Sequence, residues 1–176
     1  MTGCIVTAIV PCRNEKGSIE ACVRSILEQE KPGGNFELIV VDGLSNDGTG
    51  EILSRLSGEY PALKVIENQK RTMPSGVNLA IAAARGRYIA IMGAHNRYAP
   101  DYLRQAVQVL EETQADNAGG SMVCEGESYV QEAIALAHHS GFSVGGARWH
   151  DPQYDGPADT VFGGVYSREV FDRIGL

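Results

Sequence analysis

Positive charge is scarce in this sequence: 15 Lys and Arg stand against 22 Asp and Glu in 176 residues, a net charge of -7. A protein that tracks a phosphate backbone needs clustered cations, so this balance argues against nucleic acid as a partner. A small anion held by a few side chains is still compatible. Cysteine is sparse too. Cys4, Cys12, Cys22 and Cys124 form no CxxC pair, and three of them lie in apolar stretches, as reduced, buried thiols of a cytosolic protein do. No window reaches the roughly 18 apolar residues that span a bilayer, and no basic segment followed by an apolar run opens the chain. What is plentiful is core material. With 43% hydrophobic and 21% charged residues, 1–176 is expected to build a single domain around one core.

The apolar runs at 4–10, 36–41, 63–66 and 88–92 are short, rich in Val and Ile, and lack polar alternation, as strands covered on both faces do. Between them, Ile19, Cys22, Val23, Ile26 and Leu27 follow helical spacing, as do Val77, Ala80, Ile81 and Ala84. Leu103, Ala106, Val107 and Leu110 mark a later helix. Asp47 suits the cap of a helix near 48–59, Pro74 and Pro100 suit first helical turns, and Gly86 suits a helix C-terminus. Strand and helix alternate every 20 to 30 residues or so, which predicts an α/β fold with a mostly parallel sheet and helices on both faces. After residue 117 the rhythm weakens. AGGSMVC suits a strand and SYVQEAIALAHH a helix, 140–159 form a long aperiodic loop, TVFGGVYS resumes as a strand, and Ser167 suits the cap of REVFDRI.

In open α/β sheets ligands bind beyond the carboxyl ends of the strands. Those ends are PCRNE (11–15), DGLSNDGT (42–49), NQKRTMPSG (68–76) and GAHNRYAP (93–100), all polar, three carrying a basic residue. Arg13, Asn14, Glu15, Asp42, Lys70, Arg71, His95 and Asn96 are thereby expected on one edge. Each also has a structural reading as a turn former, cap or solvated charge. The first turn has no GxGxxG, which excludes a Rossmann dinucleotide site, and there is no Walker loop. Asp42 stands alone after its strand, against the acidic cluster of a response regulator.

The segments VTAIVPCRNEKGSIEACVRSIL, FELIVVDGLSNDGT, SGVNLAIAAARGRYIAIMGAH and DTVFGGVYSREVFDRIGL, in that order and spacing, resemble the donor-binding part of family 2 glycosyltransferases with the GT-A fold, especially the succinoglycan-biosynthesis type. The resemblance implies transfer, with inversion, of a sugar from a nucleotide-diphospho-sugar, a UDP-sugar above all, to a polysaccharide or lipid-linked acceptor. It implies that Pro11, Arg13, Asn14 and Glu15 line the nucleoside and that Asp42 bonds the base. Lys70, Arg71 and Asn78 approach base and diphosphate. Gly93, Ala94 and His95 fall on the Asp-x-Asp motif, whose carboxylates contact the ribose and a divalent cation.

Here the sequence departs from its relatives. Gly93 supplies no ligand, and His95 is the one metal-ligating candidate, an imidazole better matched to Mn²⁺ than to Mg²⁺. A degenerate module that binds nucleotide or a protein partner without catalysis is the alternative; a nucleotidyltransferase is disfavoured by the missing Gly-rich basic first loop. The general base of inverting transfer is expected beyond Leu176, in a longer chain working in the cytoplasm or at the cytoplasmic face of a membrane. Asp155 and Asp159 are not put in its place, although Asp159 suits an accessory role in ordering the 140–159 loop. His138 and His139 lack the spacing of a shared metal, while Trp149 and His150 offer an aromatic that stacks on a sugar.

Overall fold

Val6, Ala8 and Val10 alternate with Thr7 and Ile9 along the first strand, and all five are fully buried. A strand projects successive side chains to opposite faces, so this one is covered on both. In the computed structural model, which describes residues 4–30, 35–126, 128–138, 140, 148, 151 and 153–176, the elements run β1 (Cys4–Cys12), α1 (Ile19–Leu27), β2 (Asn35–Asp42), α2 (Thr49–Glu59), β3 (Leu63–Glu67), α3 (Met73–Ala83), β4 (Tyr88–Ile91), α4 (Tyr102–Thr113), β5 (Asn117–Gly120), α5 (Tyr129–His138), β6 (Phe162–Ser167) and α6 (Arg168–Ile174). The strand order is β3-β2-β1-β4-β6-β5, with β1 parallel to β2 and β4, β2 parallel to β3, and β6 antiparallel to β4. The chain divides into two compact units, residues 1–118 with 163–176, and residues 119–162.

Val6, Ala8 and Val10 pack with Leu38 and Val40 against α1, α2 and α4, through Ile19, Cys22, Val23, Ile26, Leu53, Leu56 and Leu103. The opposite face joins Ile9, Ile39, Val41 and Ile89 to Ala80 and Ile81 of α3 and Phe171 of α6. Helices therefore cover both faces, as the uninterrupted apolar strands require. The structure belongs to the expected class, an α/β fold with a mostly parallel sheet.

Local punctuation differs in four places. Gly48, in the left-handed conformation, is the N-cap of α2; Asp47 lies one residue earlier, where its carboxylate accepts from the Thr49 amide at 3.0 Å and from the Lys16 amide at 3.0 Å. Pro100 precedes α4, whose N-cap is Asp101. Gly86 does not cap a helix: a Cβ on it would lie closer than 3.0 Å to the Thr7 amide nitrogen, so it permits the α3–β4 connection to pass against β1. The strand expected in AGGSMVC stops at Gly120.

A buried carboxylate ties the first two strands to that connection. Glu37 accepts from Thr7 Oγ1 at 2.6 Å, from the Arg85 amide at 2.7 Å and from Arg85 Nε at 2.9 Å. Burial raises its pKa, but these donors outweigh burial and hold it below the ordinary carboxylate value. The Gly86 amide donates back to Thr7 Oγ1 at 2.9 Å. Among the described residues no helix is long and apolar enough to cross a membrane.

Candidate functional site

Parallel pairing brings distant strand ends level. Cys12 pairs with Asp42, Asp42 with Glu67, and Ile9 with Ile91, and the Met92 amide continues the ladder to the Ile9 carbonyl at 2.9 Å. The segments after β3, β2, β1 and β4 thus leave the sheet side by side along one edge, a row about 14 Å wide at the usual strand spacing. Three of them contain a non-glycine residue in the left-handed region: Asn14 at φ 59, Leu44 at φ 56 and Arg71 at φ 57. Such backbone costs of order 1–3 kcal/mol per residue and persists only where surrounding contacts impose it.

Those contacts are visible. The Asn14 amide donates to Ser45 Oγ at 2.8 Å, and Asn14 Oδ1 accepts from the Asn46 amide at 3.0 Å, so the turns after β1 and β2 hold one another. Asp42, almost fully buried, accepts from the Ser45 amide at 3.2 Å and from the Ser45 hydroxyl. Beneath it, burial first and then the charges of Asp42 and Glu15 push the Cys12 thiol up to about 12, so it stays protonated and unreactive. Asn68, also buried, organises the turn after β3: its Oδ1 accepts from the Lys70 amide at 3.1 Å and Ser75 Oγ at 2.7 Å, and its Nδ2 donates to the Thr72 carbonyl at 2.8 Å.

The segment after β4 is pinned to α1. Cys22 Sγ donates to the Gly93 carbonyl at 3.3 Å, the Tyr98 amide to Ser25 Oγ at 3.3 Å, and the Gly93 amide to Tyr98 Oη at 2.7 Å. Gln29 Oε1 accepts from the Leu103 amide at 3.0 Å at the start of α4. His95 stands on this anchored turn, 70% exposed, with Nδ1 3.6 Å from Glu15 Oε1. Glu15 Oε2 accepts from Ser18 Oγ at 2.9 Å, which leaves Oε1 directed at the imidazole.

Of the residues expected at the site, Pro11, Arg13, Asn14, Glu15, Asp42, Lys70, Arg71, Gly93, Ala94 and His95 lie along this edge. Ala94 is buried and offers its backbone alone. Asn78 is exposed on α3, about 200° around the helix from Gly76, the residue against Pro11 and Val41. Ser45, Asn68 and Thr49, whose Oγ1 accepts from the Glu15 amide at 2.9 Å, are organisers that the sequence reading passed over. Asn68 and Ser45 had a signal, as turn-forming types directly after apolar runs. Trp149, His150 and His139 lie outside the described residues, as does the side chain of His138.

A family model, glycosyl transferase family 2, matches residues 7–175. The chain belongs to glycosyl transferase family 2. Within this family it is 34% identical over 142 residues to the succinoglycan biosynthesis protein ExoA of Rhizobium meliloti, covering 80% of this chain and 43% of that protein. It is 25% identical over 172 residues to the dolichyl N-acetyl-alpha-D-glucosaminyl phosphate 3-beta-D-2,3-diacetamido-2,3-dideoxy-beta-D-glucuronosyltransferase of Methanococcus voltae, covering 94% of this chain and 53% of that protein. Among solved structures it superposes on the mannosyltransferase PcManGT of Pyrobaculum calidifontis, in complex with GDP-Man and Mn²⁺, with TM-score 0.71, 26% identity, and 99% and 47% coverage. It superposes on S. aureus TarS with TM-score 0.67 and 18% identity, a likeness of fold. This family 2 chain spans about half the length of the curated relatives it matches.

Divalent-cation use has a precedent in that Mn²⁺ complex. Among the described residues of the family 2 chain, no three His, Cys, Asp or Glu side chains converge as metal ligands. His95 and Glu15 make a pair, one nitrogen and one oxygen donor, which fits a cation that takes its remaining ligands from a diphosphate and water.

Proposed function

We propose that this chain is the donor-binding part of an inverting glycosyltransferase that holds a nucleotide-diphospho-sugar, a UDP-sugar in particular, across the edge formed by the ends of β3, β2, β1 and β4. One observation carries it: four segments distant in sequence are brought level by parallel register, and three hold non-glycine backbone in the left-handed region. The edge is about as long as an extended nucleoside diphosphate, at about 14 Å. Asp42, with Pro11, Arg13 and Asn14 beside it, faces the nucleoside, and Lys70 and Arg71 supply positive charge against the diphosphate. His95 holds the divalent cation, with Glu15 next to it, and Gly93 and Ala94 contribute backbone. The cation, when bound, offsets the charge that builds on the departing diphosphate.

In the transfer itself, an acceptor hydroxyl attacks the anomeric carbon from the face opposite the diphosphate. The bond to the phosphate oxygen breaks, and a general base removes the hydroxyl proton. The acceptor is a saccharide or lipid-linked saccharide, and the protein works in the cytoplasm or at a membrane's cytoplasmic face. A second possibility, binding without transfer, rests on Gly93, which brings no ligand. Activity of the full-length protein with Gly93 intact would eliminate it; a large gain on Gly93→Asp would favour it.

Titration calorimetry with UDP and GDP, each with and without MnCl₂, tests the binding function. Saturable binding, stronger with Mn²⁺ and losing that Mn²⁺ dependence in His95→Ala, is expected. A folded sample that binds neither nucleotide would refute it.

A further inference from the structure

Ser18 is the N-cap of α1, where a serine hydroxyl ordinarily accepts from an amide of the first helical turn, yet its side chain makes no capping hydrogen bond. The hydroxyl turns to Glu15 instead, donating to Oε2 at 2.9 Å, with the Glu15 carbonyl a further acceptor at 3.3 Å. Glu15 is held on its other sides as well. Its amide donates to Thr49 Oγ1 at 2.9 Å, and its carbonyl accepts from the Ser18 amide at 3.0 Å and the Ile19 amide at 2.8 Å. Thr49 is fully buried and is itself fixed by donating to Asp47 Oδ1 at 2.6 Å. Among the described residues, nothing donates a hydrogen bond to Glu15 Oε1, and this atom stands 3.6 Å from His95 Nδ1. That separation is too long for a good hydrogen bond and shorter than two metal–oxygen distances of about 2.1 Å each, so one divalent cation can touch both atoms.

We propose that Ser18 is a positioning residue for the divalent cation of the nucleotide complex: its hydroxyl, not engaged in capping α1, holds Glu15 Oε2 and so presents Oε1 beside His95 as the second protein ligand. Ser18 touches neither cation nor nucleotide and acts through Glu15 alone. A carboxylate without this partner spreads over several rotamers, and holding it beforehand removes that cost from cation binding. A serine serving only the helix would place its oxygen on the first turn, which the observed geometry does not do. The inference rests on the nucleotide-sugar function proposed above, with its cation at His95.

The test is calorimetry of UDP binding, with and without MnCl₂, to the protein and its Ser18→Ala, Ser18→Thr, Glu15→Gln and Ser18→Ala/Glu15→Gln variants, each checked for folding by its melting temperature. Ser18→Ala is expected to weaken UDP binding in Mn²⁺ about tenfold, the usual loss when the partner that orients a metal ligand is removed, and to leave metal-free UDP binding within about twofold. With no cap bond to lose, its melting temperature should fall by less than about 3 °C. Ser18→Thr keeps the hydroxyl and should bind within about threefold of wild type in Mn²⁺. Because Ser18 acts through Glu15, adding Ser18→Ala to Glu15→Gln should change binding by less than about twofold. Electron paramagnetic resonance of Mn²⁺ in the presence of UDP and protein reads the same loss as ion returned to solution. Folded Ser18→Ala with the wild-type Mn²⁺ enhancement would overturn the assignment. So would an equal loss with and without Mn²⁺, or a full tenfold loss on the Glu15→Gln background, since Ser18 would then serve the loop at large. Wild type that binds UDP with no Mn²⁺ enhancement would overturn this inference and leave the nucleotide site standing, whereas wild type that binds no nucleotide at all would overturn the proposed function with it.

Discussion

Replacing Glu37 by Ala removes the acceptor shared by Thr7 Oγ1 and the Arg85 amide and guanidinium, and the cost follows from what each donor loses. The Arg85 side chain is 77% exposed, so water takes over its part, and its ion pair at 2.8 Å is worth under about 1 kcal/mol. Thr7 is fully buried. Its hydroxyl keeps the Gly86 amide as donor but has nowhere to donate, a penalty of about 1–3 kcal/mol, with a similar or smaller one for the Arg85 amide. The expected loss is about 3 kcal/mol, which in a chain of this size lowers the melting temperature by about 6–12 °C. Glu37→Gln keeps one acceptor oxygen and should lose about half as much. The pH dependence carries a definite sign. The folded-state pKa lies below the unfolded one, so Glu37's contribution is present above about pH 4.3 and is lost as pH falls through the folded value. Urea denaturation followed by circular dichroism, at pH 7 and stepwise to pH 3, measures both effects. A loss under about 1 kcal/mol for Glu37→Ala at pH 7, or a gap between wild type and Glu37→Gln that widens on acidification, would refute this account.

Gly86→Ala forces a Cβ into the Thr7 amide and should cost about 3 kcal/mol or more, read from the urea midpoint. Asn68→Ala strips three hydrogen bonds from the turn that carries Lys70 and Arg71. A stability loss of about 2 kcal/mol is expected, with a weaker UDP titration beyond what the melting shift accounts for. Cys12 and Cys22, both buried and both pushed up to about 12 chiefly by burial, should resist a thiol reagent at pH 8 in the folded protein and react once it is unfolded in urea, as peptide mass mapping would show.

Most of the fold was written in local patterns. Uninterrupted Val and Ile runs meant strands covered on both faces, and helical stripes such as Ile19, Cys22, Val23 and Ile26 meant helices to cover them, because burial of apolar surface acts on spacing that any short window contains. Polar residues at four strand ends marked the edge along which the proposed site lies. Less legible were the roles of single residues. Gly86 looked like a helix stop but is a close approach to Thr7, and Asp47, which looked like the cap residue itself, stands one residue before it, bonding the Thr49 amide of α2 and also bracing the Lys16 amide. Nothing within a window tells which backbone another strand will press against a glycine.

The amino-acid order alone determined the element types, their alternation and the polar strand ends, since each depends on neighbours within a turn or two. Tertiary pairing alone decided that Glu15 stands 3.6 Å from His95, that Asn14 and Ser45 lock two turns together, and that Asn96 fills the room Gly93 leaves. Those proximities follow from parallel register and from the helix that pins each loop, and a parallel register joins residues whose separation in the chain no local pattern records.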